Sequence, residues 1–156
     1  MPSPVAETSI EIHAPERVVW SVMLDLARYR EWNPFIVDVA APETVAVGSR
    51  LRLSVRWSDG GTASSGEIVT KLDAPTDGNR QALLEYRFTG WLARLALVRA
   101  TRSQTLERTA QGGTRYHTRE QFGGLLAGAI PLKKVQDGFE RHAQALKARA
   151  EKLARG

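Results

Sequence analysis

The sequence contains no cysteine, and this absence excludes several classes of chemistry. Disulfide bonds, thiolate nucleophiles and cysteine-ligated zinc sites all require that residue. The three histidines, His13, His117 and His142, lie far apart in the chain and show no metal-ligand spacing. Neither a G-x-S-x-G nucleophile motif nor a phosphate-binding glycine loop is present. We therefore expect no metal, no nucleotide and no other cofactor.

Long apolar runs are also missing. No apolar stretch approaches the ~20 residues that cross a bilayer, and the opening MPSPVAETSI lacks the basic and apolar regions of a signal peptide. We therefore expect a cytoplasmic location without integral membrane association. The net charge is +5, but Arg and Lys are scattered along the chain and concentrate only in the last helix, among acidic residues. A dense basic run with interleaved aromatics is absent, so we expect no nucleic-acid partner.

The middle of the chain, from about residue 36 to residue 124, alternates polar and apolar residues with a period of two. The stretch SRLRLSVRW places Leu51, Leu53, Val55 and Trp57 on one face. The turn-forming stretches DGGT, APTDGN and AQGGT separate such segments. This pattern predicts a series of antiparallel strands that share one apolar face.

The end of the chain shows a helical pattern instead. Apolar residues recur every three or four positions from about Pro131 to Leu153, so Val135, Phe139 and Leu146 should face the sheet. The order of elements predicts an α+β fold in which an antiparallel sheet is covered by one long helix. No linker or repeat divides the chain, so residues 1–156 should form a single domain. The space between a twisted sheet and its helix is the natural ligand site.

Three stretches carry a resemblance to a known family: IEIHAPERVVWSVMLDLARYREWNPFI, GGTRYHTREQFGGLLAG and GFERHAQALKARAE. Together they resemble the START-like superfamily, also called SRPBCC or helix-grip proteins, and especially its polyketide cyclase/dehydrase-type branch. The resemblance implies about seven antiparallel strands wrapped around the C-terminal helix, with an internal apolar cavity. It also implies a hydrophobic ligand, and in a minority of members cyclisation or dehydration. On that model, Trp32 packs the small helices against the sheet.

Strand parity predicts which polar side chains enter the cavity. In the strand 115–122, Glu120 shares a face with Tyr116 and Phe122, so it should point inward. Burial favours the neutral form of a carboxyl group, which makes Glu120 a candidate acid/base. Pairing through the AQGGT turn places Arg102 within a residue of Gln121, so we expect Arg102 and Glu120 to form a buried ion pair.

The predicted site therefore contains one candidate catalytic residue, Glu120, and a larger ligand-binding set. That set comprises Arg102, Gln104, Tyr86, Thr118, Trp57 and Phe139. Arg102 would hold an anionic or polar end of the ligand through its planar fork. The apolar face of the strands would hold an elongated or polycyclic body.

Three functions remain open from the sequence. The favoured one is a non-catalytic carrier or sensor of a hydrophobic small molecule (a lipid, polyketide or aromatic compound), because it requires only a cavity and a few polar groups. The second is a polyketide cyclase or dehydratase that uses Glu120 as acid/base while Arg102 and Tyr86 polarise a carbonyl. The third is a protein interaction module whose cavity is filled by its own side chains. The sequence does not indicate an oligomeric state.

Overall fold

The architecture is a seven-stranded antiparallel sheet with a long helix at the end of the chain. The structure, a computed structural model, describes residues 3–156. Its elements in chain order are β1 Val5–Ile12, α1 Glu16–Leu24, α2 Tyr29–Trp32, β2 Ile36–Ala40, β3 Arg50–Arg56, β4 Thr62–Asp73, β5 Gln81–Phe88, α3 Trp91–Arg94, β6 Arg99–Arg108, β7 Thr114–Gly123 and α4 Leu132–Arg155. The strands are ordered β1-β7-β6-β5-β4-β3-β2 across the sheet. This arrangement confirms the predicted helix-grip α+β fold.

The helix α4 buries the stripe that the sequence predicts. Val135, Phe139 and Leu146 are 7%, 2% and 0% exposed, respectively, and belong to the main hydrophobic core. On its outer side, Asp137 accepts a hydrogen bond from Arg141 at 2.9 Å, one helical turn away. Packing of this apolar face, more than helix propensity, stabilises α4 against the sheet. Among residues 3–156, no helix combines the length and apolar character needed to span a membrane.

The stretch EWNPF joins α2 to β2 and closes one side of the interior. The side-chain Oδ1 of Asn33 accepts hydrogen bonds from the backbone N–H groups of Phe35 and Ile36, both at 2.9 Å. These bonds end the helix and direct Phe35 onto α4, where Gly138 makes room for its ring. A Cβ atom added at Gly138 would lie 2.4 Å from that ring. A glycine inside a helix costs about 1 kcal/mol relative to alanine, and here it allows close contact.

Trp32, the conspicuous aromatic of the same stretch, packs between helices. Its ring centroid lies 5.0 Å from that of Tyr29 and 5.8 Å from that of His142 on α4, both in edge-on geometry. Such aromatic pairs contribute about 0.5–1.5 kcal/mol beyond the area they bury. Trp32 therefore attaches α2 to the long helix, whereas the resemblance implies packing of the small helices against the sheet.

Candidate functional site

A cavity of about 150 Å³ lies between the sheet and the first half of α4. Its apolar wall consists of Phe35, Ile36, Leu53, Val55, Trp57, Ala63, Val135 and Phe139, and its polar wall of Ser65, Glu67, Tyr86, Arg102 and Glu120. A cavity of about 150 Å³ can hold one benzene molecule, whereas pockets for larger ligands measure about 300–1,000 Å³. The volume therefore favours a compact ligand over the elongated or polycyclic one expected from the sequence.

A larger hollow of about 380 Å³ lies elsewhere, between the β1–α1 connection and the β6–β7 turn. Its lining includes Pro15, Gly112 and Gly113. No buried charged side chain lines it. The interior cavity contains two carboxyl groups and a buried guanidinium, so we place the candidate site there.

Arg102 is the charged centre of this site, and only 2% of it is exposed. Its Nε donates to Thr118 Oγ1 at 2.9 Å, and its Nη1 donates to Tyr86 Oη at 3.2 Å. Its Nη2 lies 3.5 Å from Tyr116 Oη and 3.4 Å from His142 Nδ1. A guanidinium can only donate, so each of these four atoms acts as an acceptor.

Packing fixes the guanidinium from the helix side as well. Its central carbon lies 4.0 Å from the ring centroid of Phe139, a cation–π contact. Because His142 Nδ1 accepts from Arg102, the proton of the neutral ring lies on Nε2, which is buried without a hydrogen-bond partner. Burial lowers the pKa of His142 well below its usual value, and the Arg102 charge lowers it further. His142 is thus a neutral neighbour of the arginine.

The expected ion pair between Arg102 and Glu120 does not form. The two residues are direct partners in the β6–β7 register, as the pairing predicts. No ion pair within 4.0 Å joins them, because the guanidinium turns toward Thr118, Tyr86, Tyr116 and His142 instead. Arg102 is consequently a buried cation whose contacts are all neutral.

Glu67 on β4 also lines the cavity, although it is not among the residues predicted from the sequence. It is 7% exposed, and its Oε1 accepts a hydrogen bond from Ser65 Oγ. Burial raises the pKa of Glu67 to about 8, the Ser65 hydrogen bond opposes this shift, and the nearby Glu120 carboxyl adds to it. Glu67 pairs with Leu51 in the β3–β4 register. Its pairing with this inward-facing leucine is the signal that would have identified it.

Glu120 faces the same cavity from β7. Burial raises the pKa of its carboxyl to about 7, and the positive charge of Arg102 opposes this shift. Unlike Glu67, its side chain is only partly shielded from solvent. The cavity therefore holds two carboxyl groups that both bind protons near neutral pH.

The predicted ligand-binding residues fall into two groups. Tyr86, Trp57 and Phe139 line the cavity together with Arg102. Gln104 and Thr118 do not line it and lie behind the arginine, where they support the hydrogen-bond network. Gln104 Oε1 accepts from Tyr116 Oη at 2.7 Å, while Thr118 accepts from Arg102. Within residues 3–156, no group of three or more His, Cys, Asp or Glu side chains is arranged to hold a metal ion.

Several solved structures share this fold. The chain superposes on a hypothetical protein from Helicobacter pylori with a TM-score of 0.73 at 12% identity, covering 96% of this chain and 89% of that one. Major latex-like protein 151 from Panax ginseng gives the same TM-score of 0.73 at 12% identity, covering 96% of this chain and 99% of that one. The di-domain ARO/CYC BexL of the BE-7585A biosynthetic pathway gives 0.65 at 16% identity, covering 97% of this chain and 50% of that one. At these identities, the likeness concerns the fold alone.

Comparison with curated proteins gives no significant match. A family model does match residues 3–151, nearly the whole chain, and it describes polyketide cyclases/dehydrases and lipid transport proteins. The matched region includes every residue of the cavity wall. The chain therefore belongs to the polyketide cyclase/dehydrase and lipid transport family, within the START-like superfamily of helix-grip proteins.

Proposed function

We propose that this protein binds a compact apolar molecule with one acidic group, and that it carries or senses this molecule without transforming it. The cavity, mostly apolar and about 150 Å³ in volume, supports a ligand of about one ring. The unfilled volume argues against the interaction module with a filled interior. The observation that carries the proposal is Arg102, a buried cation in the cavity wall with no carboxylate in contact.

An acidic ligand would satisfy this arginine. A buried charge without an opposite charge in contact is costly, and charge-assisted hydrogen bonds to a carboxylate are about twice as strong as neutral ones. Glu67 and Glu120 favour such a ligand, because their raised pKa values allow both to bind protons near neutral pH. Protonated glutamates neither repel an anion nor compete for the arginine. Trp57 and Phe139 would then contact the apolar part.

A direct test compares benzoate with its neutral analogue benzamide by isothermal titration calorimetry. We expect the parent to bind benzoate more tightly than benzamide. Arg102→Gln should weaken benzoate binding by roughly tenfold or more, since a hydrogen bond to a charged group is worth about 1.5–3 kcal/mol. Retained benzamide binding by Arg102→Gln would show that its cavity is intact.

Arg87→Gln is the matched control, because Arg87 is exposed on β5 next to the cavity-lining Tyr86 and points to the opposite face. It removes the same charge and should bind benzoate as the parent does. Equal affinity of the parent for the acid and the amide, or unchanged benzoate binding by Arg102→Gln, would contradict the proposal.

A second candidate is a dehydratase, and the two carboxyl groups in the cavity wall favour it. The pKa is about 8 for Glu67 and about 7 for Glu120, so Glu67 can be protonated while Glu120 is ionised at neutral pH. The ionised carboxylate would take a proton from the carbon next to a ketone, and the protonated one would protonate the leaving hydroxyl. A β-hydroxyketone would thus become an enone and water. Tyr86 and Arg102 would polarise the carbonyl.

Enone absorbance separates the carrier from the dehydratase. For a compact β-hydroxyketone such as 4-hydroxy-4-phenylbutan-2-one, a dehydratase should produce the enone, and both Glu67→Gln and Glu120→Gln should abolish turnover. Binding of this compound by the parent without enone formation would favour the carrier. Turnover that survives both substitutions would exclude the two glutamates as the acid/base pair.

A further inference from the structure

Four large apolar side chains project into solvent at one end of the sheet, from the loop between β5 and β6, which includes the short helix α3, and from the loop after β7. Trp91, Leu95, Leu125 and Leu126 are 66%, 62%, 85% and 44% exposed. We call these four residues the apolar tip. Isolated exposed apolar residues are ordinary, whereas a cluster of them marks an interaction surface.

Backbone contacts hold the two loops together. The N–H of Leu126 donates to the carbonyl of Leu97 at 2.8 Å. Gly124, with φ +96°, lies so close to this carbonyl that a Cβ atom would approach its oxygen to 2.6 Å. Ala96 adopts a positive φ of 56°, which is unfavourable for a residue with a side chain. The apolar tip is therefore one surface built from two fixed loops.

The charge within the two connections that carry the apolar tip is positive. The two connections, residues 89–98 and 124–131, contain Arg94 and no Asp or Glu, and the first turns of the elements that follow add Arg99 on β6 and Lys133 and Lys134 on α4. Lys134 pairs with Asp59 at 3.0 Å. The other three make no ion pair within the described residues 3–156. A positively charged rim around exposed apolar side chains is complementary to an anionic surface with an apolar interior.

The apolar tip lies at the same end of the sheet as the cavity. The pairings Arg56↔Thr62 and Arg99↔Gly123 bring the turn 57–61 and the two loops of the tip to one edge. Trp57, which begins that turn, lines the cavity, as does Val135 in the first turn of α4. Docking through the tip would therefore bring the cavity end of the molecule toward the surface it contacts.

We propose that the apolar tip docks the protein peripherally on an anionic lipid membrane. Trp and Leu side chains would enter the region between headgroups and acyl chains, where Trp is favoured, while Arg94, Arg99 and Lys133 face the anionic headgroups. A second copy of the chain fits less well, because a symmetric contact would bring two positively charged rims together. This proposal does not depend on the chemistry of the ligand in the cavity.

Vesicle co-sedimentation tests the proposal with the full-length protein. We expect binding to vesicles of equal parts phosphatidylcholine and phosphatidylglycerol, little binding to phosphatidylcholine alone, and weaker binding as salt is raised. The double variant Trp91→Ser, Leu125→Ser should bind anionic vesicles roughly tenfold or more weakly, because it removes two inserted side chains. Both residues are exposed, so the variant should keep the parent's melting temperature.

Val47→Ser is the matched control, since Val47 is 63% exposed in the loop before β3, at the opposite end of the sheet. It should sediment with anionic vesicles as the parent does. Failure of the parent to bind these vesicles would overturn the proposal, as would full binding by the double variant. A dimer of the parent that the double variant abolishes would overturn it too, by assigning the tip to a second copy.

Discussion

Replacing Glu67 by glutamine should flatten the pH dependence of the folding free energy. The pKa of Glu67 rises from 4.5 to about 8 on folding, so the folded state holds this proton over a pH range in which the unfolded state releases it. Stability from this group is therefore greatest at low pH, falls as pH rises above 4.5, and levels off above about 8. Between about pH 5.5 and pH 8, the loss amounts to about 3 kcal/mol at about 1.4 kcal/mol per unit.

Glutamine has the shape of the protonated glutamate and can still accept the hydrogen bond from Ser65. Urea unfolding at several pH values should find Glu67→Gln close to the parent at pH 5.5 and about 3 kcal/mol more stable at pH 9. Glu120→Gln should show the same trend with a smaller change, since the pKa of Glu120 rises only to about 7. Glu43→Gln, at an exposed loop residue, controls for the loss of one negative charge. If parent and Glu67→Gln lose equal stability between pH 5.5 and pH 9, Glu67 does not bind a buried proton.

Three further substitutions test the packing around the cavity by denaturant unfolding. Phe139→Ala should cost about 3–5 kcal/mol, because this 2% exposed ring of α4 packs against Phe35 and Arg102 as well as lining the cavity; a negligible loss would mean that these contacts add little to stability. Gly138→Ala should destabilise by about 1–2 kcal/mol despite better helix propensity, since the new Cβ would overlap the ring of Phe35; increased stability would show that Phe35 can move aside. Asn33→Ala should cost about 1–3 kcal/mol, because the N–H groups of Phe35 and Ile36 lose their acceptor in a buried turn; unchanged stability would mean that water replaces the side chain.

The alternation of residues along a strand predicts the inward-facing side chains correctly on β6 and β7, which contain no bulge. β6 and β7 pair without interruption, so inward Leu106 and Tyr116 correctly implied inward Arg102 and Glu120. On β4, the register shifts between Val69 and Lys71. Such a bulge reverses the parity of the residues beyond it.

This bulge hides Glu67 from a parity count along β4. Val69 pairs with Tyr86, and Leu72 pairs with Leu84. Both partners face inward, although residue 69 is at an odd position and residue 72 at an even one. A count in steps of two from the inward Leu72 passes through residues 70, 68 and 66. It therefore assigns Glu67 to the outer face of the sheet. A bulge depends on the pairing of two strands, which no local pattern in one strand reveals.

Strand parity also does not predict where the end of a long side chain points. Parity placed Arg102 on the inner face and opposite Glu120, and the register agrees. The guanidinium then had several acceptors within reach, and it contacts Tyr86 and Thr118 rather than the carboxylate. Side-chain geometry of this kind depends on the packing of Phe139 and His142 from α4. The inward faces of β6 and β7 were thus predictable from the sequence, whereas Glu67 and the hydrogen-bond network around Arg102 were not.

The most direct test of Arg102 as the anchor of an acidic ligand is a crystal structure of the protein soaked with 4-bromobenzoate, whose bromine is located by its anomalous signal. We expect the carboxylate within hydrogen-bond distance of the Arg102 guanidinium and the bromine among the apolar wall formed by Phe35, Trp57 and Val135. Bromine found only in the outer hollow beside Gly112, or a carboxylate pointing away from Arg102 toward solvent, would contradict it.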